Sequence, residues 1–146
     1  MTNQALSTIE RSYTQFMVFL MLSKHAVFEL ASAHELTGMQ AVVLCLLDKP
    51  YRMNALSKLF NCDPSNMTGI VDGLEQKQMV TRYSDKLDHR SKMVDLNPKG
   101  RRVRKQLIAE ICGADGYILK NLTTEEAEQF AGLINKINTA GQDRGN

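Results

Sequence analysis

Two helical segments around a short turn constrain the fold of this chain more than any other feature. Apolar residues recur at helical spacing in residues 52–60, where Leu56 and Leu59 are expected to face inward, and again in residues 63–79. Asn61 and Cys62 supply the turn between them. In the second segment Asp63 is a favourable N-cap, and Pro64 stands at the first helical position, where its missing N–H costs nothing. The pattern predicts a helix–turn–helix.

A hairpin is expected directly after the second helix. Residues 79–84 and 91–96 alternate apolar and polar side chains, and the polar loop 85–90 between them supplies the turn chemistry. A helix–turn–helix followed by such a hairpin predicts a winged helix. The expected fold class is therefore mainly α, with a small antiparallel wing of two or three strands.

Positive charge is concentrated in the same region. The window from Lys77 to Lys105 contains ten Lys or Arg residues and three Asp, a net charge of +7, whereas the whole chain carries +2. A cationic segment beside a helix–turn–helix favours binding to a polyanion. The expected partner is double-stranded DNA, and the alternative is a winged helix that binds protein through the same face.

The second helix separates into an apolar and a polar face at 100° per residue. The inward stripe consists of Met67, Ile70, Val71 and Leu74. The outward face consists of Ser65, Thr68, Gly69, Asp72, Gly73 and Gln76, with Asn66 at its edge. Short polar groups near the N-terminus suit a helix in the major groove, so base contacts are expected from among Ser65, Asn66 and Thr68, and a phosphate contact from Gln76. The simpler alternative is an ordinary polar helix face.

Glycines and cations extend this expected DNA-binding surface. Gly69 and Gly73 each cost about 1 kcal/mol relative to alanine within a helix, which close approach of the backbone to DNA would explain. The cationic wing residues are Lys86, His89, Arg90 and Lys92. An arginine there suits the adjacent minor groove, although a solvated charged hairpin gives the same pattern.

The terminal segments predict a dimerisation region. Residues 8–34 form one long helix that is apolar on two faces, so it needs a second partner, and another copy of the chain is the simplest. Further helices are expected after the Thr37 cap, ending at Pro50, from Asn97 to about Ala114, and from Thr123 to about Thr139. The expected division is 1–36 with 98–146 for dimerisation and 37–97 for the winged helix, with a disordered tail at 141–146.

Composition indicates a folded domain: 43% of residues are hydrophobic and 23% are charged. No continuous apolar run approaches the roughly 20 residues of a membrane span, and no secretory signal is visible, so a cytoplasmic protein without membrane contact is expected. No catalytic motif appears, so neither enzyme activity nor a cofactor is expected. His25 and Glu29 have a spacing that a metal could use, but a surface ion pair is the preferred interpretation and no metal site is expected.

The three cysteines are far apart in the sequence, which argues against a disulfide framework. Cys45 is expected to be a small buried hydrophobic residue. Cys62 precedes a helix, where a thiol pKa is lowered, so a redox role stays open.

Three consecutive segments, LTGMQAVVLCLL, ALSKLFNCDPSNMTGIVDGLEQKQMVTR and DKLDHRSKMVDLNPKG, resemble the MarR family of winged-helix transcriptional regulators over roughly residues 37–100. The resemblance implies a homodimer on a pseudo-palindromic DNA site, most simply a repressor that a ligand releases. It implies that Arg90 is the wing arginine, that the Asp72 carboxylate lies near Arg90, and that Asp72 and Asp88 anchor the wing. Gln78 replaces a usual glycine, so a different turn into the wing is expected.

The resemblance also implies an effector site for a small aromatic or phenolic ligand, between the dimerisation helices and the winged region. The candidate pocket residues are Tyr13, Phe16, Met17, Met39 and Val43. An ordinary hydrophobic core gives the same sequence pattern, so both interpretations stay open.

Overall fold

A computed structural model describes residues 3–113 and 119–142. The helices are α1 (Asn3–Ala31), α2 (Gly38–Leu46), α3 (Met53–Leu59), α4 (Pro64–Gln76), α5 (Pro98–Cys112) and α6 (Thr124–Gln142), and the strands are β1 (Tyr51–Arg52), β2 (Val80–Ser84) and β3 (Lys92–Leu96). The strands form one antiparallel sheet in the order β1-β3-β2. The predicted fold class, mainly α with a small antiparallel wing, is confirmed.

The helix–turn–helix forms where it is expected. Asn61 adopts the left-handed conformation (φ 46°) that an asparagine tolerates in a turn, and Pro64 begins α4. Asp63 is the N-cap residue, but its side chain accepts no capping hydrogen bond. In α3, Leu56 is buried as expected, whereas the expectation for Leu59 is wrong because its side chain is exposed. The buried arc of α3 centres on residues 56 and 57, and at 100° per residue position 59 falls outside it.

The inward stripe of α4 fixes which face of that helix reaches solvent. Met67, Val71 and Leu74 are fully buried, and Ile70 is half-buried against the same core. Burying side chains of this size contributes roughly 1.5–3 kcal/mol each. These contacts hold α4 against the core and leave its opposite face exposed.

The capping box at the start of α2 is confirmed. The Thr37 hydroxyl accepts from the Gln40 N–H at 3.2 Å, and the Gln40 side-chain oxygen accepts from the Thr37 N–H at 3.1 Å. The helix ends at Leu46, four residues before Pro50, so the prediction that Pro50 terminates it is wrong. Leu47 already leaves the helical region (ψ 63°), and the Asp48 N–H turns back to the Leu46 carbonyl.

The terminal helices agree with expectation in position and differ in extent. A capping box of Thr123 and Glu126 begins α6, and Asn97 caps α5 by accepting from the Gly100 N–H at 2.9 Å. α6 extends to Gln142, so the first two residues of the predicted disordered tail are helical. Residues 143–146 and the predicted end of the preceding helix at Ala114 lie outside the described residues.

α1 is long and apolar, although it contains no continuous apolar run as long as a membrane span. With the turn after it, residues 4–34 are the single segment of the described chain long and apolar enough to cross a membrane by length and composition. An 18-residue window there has a mean hydropathy of 1.4, and 17% of that window is buried. Polar residues interrupt the apolar runs of α1, but the mean hydropathy of the window stays high in spite of them. A helix that packs against another protein has the same composition as a helix that crosses a membrane. The exposed apolar surface of α1 therefore indicates contact with a protein partner or with a membrane.

Candidate nucleic-acid interface

The N-terminal half of α4 presents short polar groups to solvent. Ser65, Asn66, Thr68 and Gly69 are all exposed. The Thr68 hydroxyl donates to the carbonyl of Pro64 at 2.8 Å, so its oxygen is left as an acceptor. A Cβ added at Gly69 would meet no atom of residues 3–113 and 119–142 within 4 Å, apart from its own helix backbone and its chain neighbours. The helix backbone at Gly69 is therefore open to close approach by a ligand.

Gly73 has a different role from the one predicted. A Cβ at this position would collide with the Nε2 atom of Gln40, whose side chain is buried. The glycine thus packs against the Gln40 side chain of α2, and this contact accounts for it without an approach to DNA. The helical wheel could not reveal this, because Gln40 lies 33 residues earlier in the chain.

Asp88 organises the wing loop. Its carboxylate accepts from the Ser91 hydroxyl at 2.7 Å and from the Arg90 N–H at 3.2 Å, and its carbonyl accepts from the Ser91 N–H at 2.9 Å. At the base of the loop, Lys92 Nζ donates to the Ser84 hydroxyl across the two strands at 2.9 Å. Asp88 therefore fixes the backbone at Arg90, in agreement with its predicted anchoring position.

Arg90 is exposed beside α4. Within the described chain its guanidinium makes no hydrogen bond or ion pair, and its N–H contact to Asp88 is a backbone one. It lines a hollow of about 270 Å³ together with Pro64 and Thr68 of α4. His89 and Lys86 are exposed on the same loop. The wing cations and the N-terminal half of α4 thus share one surface.

Asp72 pairs with Arg82 rather than with Arg90. Arg82 Nη2 lies 2.5 Å from an Asp72 oxygen and 2.6 Å from a Glu75 oxygen. Hydrogen bonding from Arg82 lowers the pKa of Glu75, and the hydrogen bond to Glu75 raises the pKa of Arg82. The implied placement of Asp72 near Arg90 is therefore wrong. Asp72 instead ties α4 to β2, the first strand of the wing.

Gln76 stands apart from the other predicted DNA-binding residues. It is exposed, and it lines a small depression with Asp72, Glu75 and Arg82. The two carboxylates there make its surroundings less attractive to phosphate than the surface around Arg90. The structure therefore brings Thr68 and Arg90 together but does not bring Gln76 to the same place.

A second anchor of the wing was missed by sequence reasoning. Arg52 Nη2 of β1 donates to the Asp85 carboxylate at 2.7 Å, and the Arg52 Nε donates to the same oxygen at 3.1 Å. The Leu87 N–H and then Arg52, both bonded to this carboxylate, lower the pKa of Asp85. A two-residue strand has too little periodicity to be recognised in a sequence, so the pairing of β1 with β3 could not be anticipated.

Much of the positive charge in the basic window is engaged internally. Arg82 pairs with Asp72 and Glu75, Arg101 pairs with Asp95 at 3.1 Å, and Arg104 donates to the Cys45 carbonyl at 3.0 Å. Among the described residues, the basic side chains of the window without a hydrogen bond or ion pair are Lys86, Arg90, Arg102 and Lys105. The net charge of the window therefore overstates what a ligand meets, and the wing tip carries two of the four available cations.

The C-terminal end of α4 is held by the start of α5. Gln78 adopts the left-handed conformation (φ 58°), so the turn forms despite the missing glycine, and the expectation of a different turn is wrong. Its carbonyl accepts from the Asn97 side chain, and the Lys77 carbonyl accepts from Lys99 Nζ at 2.9 Å. A Cβ at Gly100 would collide with the Met79 carbonyl oxygen, so only glycine permits this close contact.

The candidate effector-pocket residues have different surroundings in the described chain. Val43 is fully buried in the core, Met39 is half-buried, and Tyr13 and Met17 are exposed. Phe16 alone among them lines a groove of about 820 Å³ between α1 and α6. Phe19 and Phe130 meet edge-to-face in that groove, with ring centroids 5.3 Å apart. The spacing of apolar residues in the sequence could not show which of them lie in the core and which line a cavity, because both sets are apolar.

The histidine, glutamate and cysteine residues considered for metal binding or redox chemistry come last. His25 and Glu29 form the expected surface pair at 3.0 Å. In residues 3–113 and 119–142, no three His, Cys, Asp or Glu side chains are placed to hold a metal ion. Cys45 is half-buried against the core, and burial raises its pKa to about 11. Cys62 is a half-buried free thiol.

Comparison with known proteins confirms the resemblance read from the sequence. Residues 36–92 match the model of the MarR family. An uncharacterized HTH-type transcriptional regulator of Bacillus subtilis (strain 168), YxaD, is 28% identical over 91 residues, which cover 62% of this chain and 64% of the relative. The match thus spans less than two-thirds of that relative.

Solved structures of transcriptional regulators share the fold. The regulator BldR of Sulfolobus solfataricus superposes with a TM-score of 0.69 at 23% identity, covering 96% of this chain and 99% of BldR. A mutant MarR of E. coli complexed with operator DNA gives a TM-score of 0.58 at 24% identity, covering 89% of this chain and 95% of that one. At such identities the likeness establishes the winged-helix architecture.

Proposed function

We propose that the protein, whose residues 36–92 match the model of the MarR family, is a sequence-specific regulator of transcription that binds double-stranded DNA. The observation that carries the proposal is the shared surface of Arg90 and Thr68. An exposed guanidinium, unpaired within the described part of the chain, lies beside the exposed N-terminal half of a helix whose backbone at Gly69 is open. This surface is shaped to contact a groove and the phosphates beside it.

In the proposed complex α4 enters the major groove and the wing reaches the adjacent minor groove. Ser65, Asn66 and Thr68 contact base edges, because they occupy the first turns of the helix and are exposed. Arg90 enters the minor groove, where its planar, permanently charged fork suits a narrow width. Lys86, His89 and Lys92 surround it and contact phosphates or sugars.

We further propose that the chain acts as a homodimer on a pseudo-palindromic operator. Residues 1–36 and 98–146 supply the dimerisation region, and residues 37–97 supply the winged helix. The support is the exposed apolar surface of the terminal helices, which includes Ile9, Met21 and Leu22 of α1 and Leu133 and Ile137 of α6. A second copy would remove this surface from water.

The regulatory part of the proposal is a repressor released by a small aromatic or phenolic effector. The apolar groove of about 820 Å³ between α1 and α6 falls within the range of about 300–1,000 Å³ that drug-sized ligands occupy. Leu22, Leu133 and Ile137 line this groove and also belong to the proposed dimer surface, so a ligand bound there would compete with contacts of the second copy. A ligand between these helices would act on the half-site spacing through the dimerisation region. A DNA-binding regulator works where the chromosome is, so the proposed location is the cytoplasm.

Selection of bound sequences from random duplex DNA tests the proposal. A regulator should enrich one pseudo-palindromic sequence and bind it far more tightly than a scrambled duplex of the same composition. Sedimentation should give about twice the 16.4 kDa of one chain. Equal affinity for all duplexes would reject sequence-specific regulation and leave the alternative, a winged helix that binds protein.

A further inference from the structure

We infer that Leu87, at the tip of the wing, is an apolar wedge that enters the DNA minor groove and favours base-pair steps that deform easily. The inference rests on the proposed function and adds a residue and a selectivity to it. It concerns the DNA next to the sequence that α4 contacts. Selectivity there would come from the deformability of the duplex rather than from hydrogen bonds to bases.

The exposure of Leu87 is the first observation. Its side chain is 94% exposed, whereas Tyr13, the next most exposed large hydrophobic residue of the described chain, is 64% exposed. A single exposed leucine needs no special explanation on most surfaces. Here it lies between two cations, with Lys86 before it and Arg90 shortly after it. These cations attract the loop to a polyanion, and Leu87 is the most exposed large hydrophobic residue of the described chain.

The tip is also held in place. The Leu87 N–H donates to Asp85 Oδ1 at 2.9 Å, and the other oxygen of that carboxylate is bound by Arg52 of β1. On the far side of the tip, Asp88 bonds Arg90 and Ser91. A wedge must resist being pushed back when it parts two base pairs. These bonds join the tip to the sheet and provide that resistance.

Insertion of a leucine into the minor groove partly unstacks a base step and bends the duplex. The cost depends on the step, because TpA steps part easily whereas A-tracts are stiff and have a narrow groove. Arg90, on the same loop, has the opposite preference, since a narrow groove has the more negative potential. Leu87 therefore favours a TpA step in the DNA that the wing contacts, whereas Arg90 favours an A-tract there. Because the two preferences are opposite, substitutions of the two residues have opposite effects that can be measured separately.

The experiment compares two flanking sequences with equal A·T content. The duplex recovered by selection is made with either a TpA step or an A-tract where the wing lies, and the Kd of each is measured at fixed salt. The quantity of interest is the Kd for the A-tract duplex divided by the Kd for the TpA duplex. Leu87→Asn keeps nearly the same size but is polar, Leu87→Met stays apolar, and Arg90→Ala removes the opposing preference.

Leu87→Asn should lower this ratio by about fivefold, Leu87→Met should leave it near the wild-type value, and Arg90→Ala should raise it. Thermal melting should be unchanged, because substitutions at so exposed a position seldom affect stability. An unchanged ratio in Leu87→Asn, while the selected duplex is still preferred over a scrambled one, would overturn the wedge alone. Loss of that preference in the wild-type protein would overturn the proposed function as well.

Discussion

Gly69→Ala separates the demands of DNA binding from those of folding at one position of α4. A Cβ at residue 69 would meet no atom of the described chain within 4 Å. Glycine within a helix is less favourable than alanine by roughly 0.5–1 kcal/mol, because it loses more backbone freedom on folding. The folded protein therefore has no packing reason to keep glycine here, and the substitution should stabilise it by about that amount.

DNA binding should respond in the opposite direction. If α4 lies in the major groove with its backbone close to the bases at residue 69, an added methyl group occupies space that the duplex requires. We expect specific affinity to fall by about tenfold, which corresponds to roughly 1.4 kcal/mol. Stability would rise while function is lost, a combination that a merely misfolded variant cannot give.

The chain provides two matched controls for this substitution. Gly132 of α6 is also helical, and a Cβ there would also meet nothing within 4 Å among the residues that the structure describes, so Gly132→Ala should raise stability and leave DNA affinity unchanged. Gly73→Ala should instead destabilise the protein, because its Cβ would collide with Gln40. Urea unfolding gives the free energy of unfolding for each variant, and titration of the selected duplex gives its affinity.

A stabilised Gly69→Ala protein with undiminished affinity would refute the reasoning. The backbone at residue 69 would then not approach DNA closely, and the glycine would lack a functional explanation. Destabilisation would equally contradict the account, because it would mean that residue 69 is in contact with a part of the protein.

Three further predictions address the wing and its attachment. Arg90→Ala should weaken DNA binding strongly while thermal stability stays within about 0.5 kcal/mol, and Arg90→Lys should restore part of the affinity; titration of the selected duplex checks both. Gly100→Ala should destabilise the fold by about 1–3 kcal/mol in urea unfolding, because its Cβ would overlap the Met79 carbonyl and force α5 away from α4. Arg82 lowers the pKa of Glu75, so the stability from this pair is present above the ordinary glutamate pKa of 4.5 and is lost as the pH falls through the lowered value. Glu75→Gln should therefore flatten the acid side of a plot of unfolding free energy against pH, and an unchanged plot would show that the pair adds nothing.

The elements that the sequence predicts correctly are those specified by neighbouring residues. The Thr37 and Thr123 capping boxes and the proline after Asp63 are local signals, and each begins a helix where it is expected. The stripe of α4 is also local, since it depends only on the helical period. The hairpin of the wing could be predicted because apolar and polar side chains alternate on both sides of a polar loop.

The errors concern partners that are distant in the sequence. Nothing near Asp72 in the sequence indicates whether Arg82 or Arg90 will bind it, because both arginines belong to the predicted hairpin. The structure shows that Arg82 forms the ion pair. Gly73 looks like an open position until Gln40 is placed against it. The candidate effector-pocket residues are dispersed for a related reason: burial and cavity formation depend on how helices pack, and apolar residues occur both in a core and in the wall of a cavity.

The salt dependence of binding to the selected duplex tests most directly whether the wing and α4 form a DNA-binding surface. Each phosphate contact steepens the slope of log K against log salt by about 0.9. We predict a steep slope for the wild-type protein, reduced by about 1.8 per dimer in Lys86→Ala, which removes one proposed phosphate contact from each wing, and unchanged in Lys136→Ala, which removes a cation from α6 outside the winged region. A shallow wild-type slope, or equal slopes for wild type and Lys86→Ala, would contradict the account.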